Sequence, residues 1–97
     1  MSYLLPTYAN FPLTAVRGEG ARLWDSEGKS YLDFCAGIAT CSIGHCHPAL
    51  AKAISDQAST LMHCSNLYQV PQQKELARVL VEDFTPIPGK VFFATSG

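Results

Sequence analysis

The sequence has few charged residues and no cluster of basic ones. Of its 97 residues, 15% are charged, and the formal net charge is −1. Lysine and arginine occur singly, so no stretch forms the basic stripe that attracts a phosphate backbone. We therefore expect no nucleic-acid partner.

Two further absences restrict the cellular setting. The first residues, MSYLLP, lack the basic region and apolar run of a secretion signal, and no segment approaches the roughly 18 apolar residues of a membrane span. Four irregularly spaced cysteines are too few for a disulfide framework. These features predict a cytoplasmic protein with reduced thiols and no membrane partner.

Apolar residues, in contrast, are plentiful. They make up 47% of a chain that is long enough for one small domain at most. A chain of this length buries only about two-thirds of its unfolded surface, so its core should be thin. We expect part of the apolar surface to face a partner or a missing segment of chain.

The first third of the chain predicts an arm followed by a small sheet. Residues 1–12 carry three aromatics without periodicity, which suits an extended arm that docks by its rings. Short β runs follow over residues 13–17, 21–24 and 30–34. The connection DSEG suits a hairpin turn whose last residue, Gly28, needs a positive φ. Together these runs predict an antiparallel meander.

The central stretch, residues 33–48, reads DFCAGIATCSIGHCHP and has no charged residue from Ala36 to Pro48. Its glycines allow close backbone approach, and uncharged loops of this kind are more often buried than ordinary surface connections. The stretch therefore predicts a pocket wall or an interface.

Two helices and a strand are predicted after this loop. Apolar residues three or four apart indicate one helix from Pro48 to about residue 62 and a second from Pro71 to residue 84, where TPIPG ends it. Residues 91–97, VFFATSG, resemble a strand that is covered on both faces, as in a parallel sheet. No covering element follows, so we expect the chain to stop before its fold is complete.

Several side chains have to be weighed as metal ligands or nucleophiles. His45, Cys46 and His47 are ligand types for zinc, but no Cys-x-x-Cys pair accompanies them, which favours imidazoles that bond backbone around the loop. Cys35 has no recognisable histidine and acid partners, and Ser96 lacks a Gly-x-Ser-x-Gly setting. We assign no metal ligand and no catalytic residue within this chain.

Three motifs in order carry a resemblance to a known family. GARLWDSEGKSYLDF, GIATCSIGHCHP and VFFATSG resemble the N-terminal part of class III pyridoxal-phosphate aminotransferases, over residues 7–97. Within that family the chain is most similar to enzymes of arginine biosynthesis that take an amino group from N-acetylated ornithine. Ornithine, succinylornithine and 4-aminobutyrate remain open as alternative donors.

The resemblance implies an α/β fold of the fold type I transferases. The small meander and two helices would be the N-terminal segment, and the chain would end in the first strand of the large domain. The resemblance divides the chain into an arm (1–12), a small-domain segment (13–85) and the start of the pyridoxal-phosphate domain (86–97). The complete enzyme would be a homodimer that binds pyridoxal 5′-phosphate, an amino acid and a 2-oxo acid.

The resemblance also assigns site residues. Ser96 and Gly97 occupy the position at which the family holds the cofactor phosphate. Gly37 and Ile38 correspond to a segment that lines the substrate pocket, and Asn66 lies where the family places a residue near the active site.

The groups that carry the reaction in this family are absent from the chain. The family's Schiff-base lysine, the acid that pairs with the pyridine nitrogen and the arginine that binds the substrate carboxylate all lie downstream. None of the local lysines has a setting that would lower its amine pKa. We expect the chain alone neither to bind the cofactor nor to catalyse transamination. The competing hypothesis is a non-catalytic fragment that docks on another polypeptide through its apolar loop.

Overall fold

The computed structural model describes residues 2–97, which form two compact units. The first unit extends to Thr60 and the second begins at Leu61. A three-stranded sheet, a tight turn and one helix make up the first unit. The second contains another helix and an irregular C-terminal stretch.

The sheet is the antiparallel meander that the sequence predicts. Its strands are β1 (Ala15–Glu19), β2 (Arg22–Asp25) and β3 (Ser30–Leu32), in the spatial order β1-β2-β3. Across β1 and β2, the Arg17 guanidinium lies 3.5 Å from the centre of the Trp24 ring. This cation–π contact stabilises the pairing of the two strands.

The turn between β2 and β3 is organised by one buried carboxylate. Asp25 accepts hydrogen bonds from the backbone N–H groups of Glu27 and Lys29 and from the Tyr31 hydroxyl, each at 2.9 Å. Gly28 has a φ of +86°, which confirms the expected left-handed position. The turn forms at this place because an acid side chain can accept hydrogen bonds from the N–H groups that a tight turn leaves unpaired.

These bonds shift the titration of both side chains. Burial by itself would raise the pKa of Asp25, but the accepted hydrogen bonds outweigh it and leave the pKa below its ordinary value. The hydrogen bond from the Tyr31 hydroxyl to Asp25 raises the pKa of Tyr31, because deprotonation would place a second negative charge beside the carboxylate.

Two helices follow at the positions that the sequence predicts. Helix α1 (Pro48–Thr60) ends two residues earlier than expected, and α2 (Pro71–Val79) continues into a single π turn (Leu80–Phe84). Proline begins each helix, where its missing N–H costs nothing. No helix among residues 2–97 is long and apolar enough to cross a membrane.

The expected apolar faces of the helices are mostly open to solvent. Leu50 and Ile54 of α1 are 47% and 60% exposed, and on α2 and the π turn only Val79 and Leu80 of the predicted stripe are half-buried. No hydrophobic side chain among the described residues is fully buried. The sequence periodicity thus identifies faces that are only partly covered within their own unit.

The prediction of a strand over residues 91–97 is wrong for the described structure. These residues have no regular secondary structure. A strand requires a neighbour whose N–H and C=O groups complete the ladder, and no such neighbour lies beside them in the part of the chain described. Sequence alone encodes only the propensity of this segment.

The central loop is fastened to the sheet at the β1–β2 turn. Gly20 and His45 exchange both backbone hydrogen bonds, at 2.8 and 3.1 Å. A Cβ on Gly18 would lie 2.8 Å from the Cβ and Cγ of His45, and a Cβ on Gly44 would lie 3.1 Å from the Gly20 backbone. The two segments therefore approach too closely for larger residues.

We predict that Asp25→Asn lowers the pKa of Tyr31 towards its ordinary value of 10.0. In the unsubstituted chain the neutral hydroxyl donates to Asp25, so the bond contributes stability below the ordinary pKa of tyrosine and is lost as the pH rises through the raised value. The measurement is an NMR titration of ring-labelled tyrosine, with Tyr31→Phe assigning the signal. An unchanged Tyr31 titration would contradict the bond.

We further predict that Gly18→Ala weakens the backbone hydrogen bonds between the central loop and the β1–β2 turn. The new methyl group overlaps the His45 side chain, and overpacking of this kind costs about 1–3 kcal/mol. Hydrogen exchange at the His45 amide, which donates to the Gly20 carbonyl, should accelerate accordingly. Gly89→Ala is the control, because a Cβ at Gly89 would meet no atom within 4 Å.

Candidate functional site

The central loop contains a turn of left-handed helix. The residues from Ala36 to Ala39 have φ values of 50°, 64°, 57° and 63° in order, and we refer to Ala36–Ala39 as the left-handed turn. Its backbone bonds run from the Ala39 N–H to the Cys35 carbonyl at 2.9 Å and from the Cys41 N–H to the Ala36 carbonyl at 2.8 Å. The sequence analysis did not predict this conformation.

Only one residue of the left-handed turn is a glycine. For each of the other three, including the β-branched Ile38, the left-handed conformation costs roughly 1–2 kcal/mol. Strain of this kind persists only where the surrounding structure imposes it, and it concentrates at binding and catalytic sites. The turn is therefore the most distinctive candidate site feature in the first unit.

The Asp33 side chain holds the beginning of the turn. Its Oδ1 accepts hydrogen bonds from the N–H groups of Cys35 at 2.9 Å and Ala36 at 3.0 Å. Its Oδ2 lies 2.5 Å from Nε2 of His45. Both side chains of this pair are largely shielded, with 8% of the Asp33 side chain and 17% of the His45 side chain exposed.

These partners lower the pKa of Asp33 below its ordinary value. The hydrogen bond from the Ala36 N–H is the largest cause, followed by the bond with His45, and partial burial opposes them. The carboxylate is therefore charged at neutral pH, and its role in the turn is that of an acceptor.

The central loop is partly shielded and partly open in this chain. Ile38 is 94% exposed and Phe34 is 94% exposed, because no described residue covers them. Gly37 is also exposed. The turn consequently presents the Gly37 backbone and the Ile38 side chain to whatever faces this surface.

The imidazoles of the loop have different roles. His47 accepts a hydrogen bond from the Ala49 N–H at 3.2 Å, which confirms the predicted bonding of backbone. The same prediction is wrong for the His45 ring, which pairs with the Asp33 carboxylate. Among residues 2–97, no three histidine, cysteine or acidic side chains are grouped closely enough to hold a metal ion.

The second unit contains the other predicted pocket residue, Asn66. It lines an open cavity of about 350 Å³, together with side chains of α2 and of the C-terminal stretch. Gln73 and Lys74 line this cavity from α2, and Phe92 and Phe93 line it from the C-terminal stretch. The Nε2 of Gln73 is 3.5 Å from the Asn66 Oδ1, which is long for a hydrogen bond. Asn66 is itself exposed.

Ser96 and Gly97 lie outside this cavity and are exposed. A hydroxyl and backbone N–H groups are donors that a phosphate group accepts, and a Cβ on Gly97 would meet no atom within 4 Å. The donor chemistry of the two residues is of the kind that a phosphate site uses.

Sequence reasoning missed the pairing of Asp33 with His45. The signal was present, because Asp33 is the last charged residue before an uncharged stretch and His45 is one of only three histidines in the chain. Their pairing is not readable from a separation of 12 residues, since it depends on the path of the loop around the sheet.

Comparison with known proteins connects this architecture with one family. The family model described as aminotransferase class-III matches residues 3–97. An acetylornithine aminotransferase of Caldanaerobacter subterraneus subsp. tengcongensis is 60% identical over 95 residues, which are 98% of this chain and 24% of that protein. The chain spans about a quarter of the length of the curated relatives that it matches.

Solved structures give the same assignment. The N-acetylornithine aminotransferase of Stenotrophomonas maltophilia is 41% identical with a TM-score of 0.72, over 77% of this chain and 21% of that one. The ornithine aminotransferase of Toxoplasma gondii is 35% identical with a TM-score of 0.78, over 82% of this chain and 19% of that one. Most of the fold of this chain is thus shared with a segment of these enzymes, and the chain belongs to the class III aminotransferase family.

Proposed function

We propose that the chain is the N-terminal segment of an acetylornithine aminotransferase. The complete enzyme transfers the amino group of N-acetylornithine to 2-oxoglutarate in arginine biosynthesis, as a cytoplasmic homodimer. The observation that carries this proposal is the 60% identity with an enzyme of that name across nearly the whole chain. The segment by itself is inactive.

In this proposal the left-handed turn is a wall of the substrate pocket. Its strained backbone exposes Ile38 almost completely, which suits a surface that meets a ligand or another part of the complete enzyme. An apolar wall of this kind excludes water from the methylene chain of the amino donor. For Asn66 the proposal is the one that the resemblance implies, a residue near the active site.

Class III aminotransferases depend on pyridoxal phosphate, which when bound supplies the electron-withdrawing ring that stabilises charge at the substrate α-carbon. Of the residues in this chain, Ser96 and Gly97 would hold its phosphate, through the serine hydroxyl and backbone N–H groups. The proposal includes the domain division that the resemblance implies. Residues 1–12 are an arm, residues 13–85 are a segment of the small domain, and residues 86–97 are the beginning of the cofactor-binding domain.

The donor preference provides the direct test. The complete protein should transaminate 2-oxoglutarate with a kcat/KM for N-acetylornithine that exceeds that for ornithine, succinylornithine or 4-aminobutyrate by about tenfold or more, the range that a few differing pocket contacts provide. The 97-residue chain incubated with pyridoxal phosphate should show neither turnover nor a new visible absorption band.

A chimera separates the contribution of this segment from that of the remaining protein. Here the chain replaces the matching 95 residues of the Caldanaerobacter relative. We expect the chimera to keep the donor preference of that relative. A complete protein that prefers another donor would refute the acetylornithine assignment, and turnover by the isolated chain would refute its role as one part of an active site.

The wall role of Ile38 has its own prediction. Ile38→Gly relieves a left-handed β-branched residue, so it should stabilise the turn by roughly 1 kcal/mol and still raise the KM for the amino donor. Ala39→Gly is the matched control, because it relieves similar strain at the next residue without removing a large side chain. Steady-state kinetics of the complete enzyme distinguish the two variants, and equal KM values for both would contradict the wall.

A further inference from the structure

We propose that Asp33 and His45 are positioning residues for the substrate pocket, which hold the left-handed turn so that Gly37 and Ile38 keep their place as its wall. The inference rests on the proposed function, since the role of the wall belongs to it. Neither Asp33 nor His45 is assigned a contact with the reacting atoms.

The left-handed turn is strained, and its largest side chain, Ile38, has little packing around it. Three left-handed residues that are not glycine each add a conformational free-energy cost. Packing does not offset this cost, because the Ile38 side chain is 94% exposed. A Cβ on Gly37 would have Thr40 and Cys41 of the same loop as its nearest neighbours. The conformation therefore requires an anchor outside the turn.

Asp33 supplies that anchor through its backbone N–H and both oxygens of its carboxylate. Its own N–H donates to the Ala21 carbonyl at 2.8 Å, which ties it to the beginning of the hairpin. Its Oδ1 takes the N–H groups of Cys35 and Ala36, and this fixes the direction in which the chain enters the turn. Hydrogen bonds to a charged acceptor are stronger than those between neutral groups, so these bonds act against the strain of the turn.

His45 fixes the other carboxylate oxygen. Its backbone exchanges two hydrogen bonds with Gly20, and its Cβ and Cγ lie against Gly18. The ring can therefore move little relative to the sheet. Through Nε2 it holds Oδ2 of Asp33, so a continuous set of contacts leads from β1 through His45 and Asp33 to the N–H of Ala36.

The test uses Asp33→Ala and Asp33→Asn in the complete enzyme. Asp33→Ala removes both oxygens, and we expect the KM for the amino donor to rise about tenfold or more while kcat changes less than about threefold, because a displaced wall weakens binding first. Asp33→Asn keeps one oxygen for the N–H groups of Cys35 and Ala36 and should restore most of the affinity.

The matched control is Asp56→Ala. Asp56 is an exposed carboxylate that pairs with Lys52 along α1, away from the left-handed turn. Its removal should leave the KM unchanged. A merely structural role of Asp33 would lower the melting temperature and the active fraction without altering the KM of the enzyme that remains folded.

A second readout does not depend on activity. Hydrogen exchange at the Cys35 and Ala36 amides should accelerate about tenfold or more in Asp33→Ala and remain unchanged in Asp56→Ala. If the wild-type protein shows no transamination, the proposed function fails, and the exchange data still decide whether Asp33 holds the turn.

Two results would overturn the inference. One is unchanged exchange at these amides, which would mean that Asp33 does not hold the turn. The other is faster exchange with an unchanged KM, which would mean that the position of the turn does not matter to the substrate. Should Asp33→Ala fail to fold, His45→Gln and Asp33→Asn decide by the same two measurements, with an intermediate rise in KM expected for both.

Discussion

The Asp33 carboxylate is the interaction on which the candidate site depends. One of its oxygens accepts two backbone N–H groups, the other meets the His45 ring, and the turn that follows occupies a conformation that few non-glycine residues adopt. Because His45 is also bound to the β1–β2 turn, the sheet sets the position of a segment that lies outside it. Without this carboxylate, the N–H groups of Cys35 and Ala36 would lose their side-chain acceptor.

Local features of the fold could be predicted from the sequence, and features that depend on the path of the chain could not. The meander follows from three β runs and from the DSEG turn, where Asp25 and Gly28 take the positions that a hairpin requires. Both helices begin at prolines and follow their apolar periodicity. The left-handed turn escaped prediction because Ala36 and Ile38 have no intrinsic preference for that conformation.

Burial was the other property that the sequence could not settle. An uncharged, glycine-containing loop predicts a contact surface. The pattern does not identify whether the contacting residues belong to the same unit or to another part of the protein. Ile38 and Phe34 are open in this chain, as are the apolar faces of both helices. The family resemblance implies that Gly37, Ile38 and Asn66 are pocket residues, which stays a prediction, whereas the contacts that hold the turn depend on the three-dimensional path of the loop. Ser96 and Gly97 remain a proposal, supported by their donor chemistry.

The exposed apolar surface has a consequence for synthesis of the complete enzyme proposed here. This segment would leave the ribosome before the parts of the protein that follow it, with none of its described hydrophobic side chains fully buried. At about 5–20 residues per second, translation of a further few hundred residues takes on the order of tens of seconds. During that interval the open apolar faces of the nascent chain would be exposed to association with other chains.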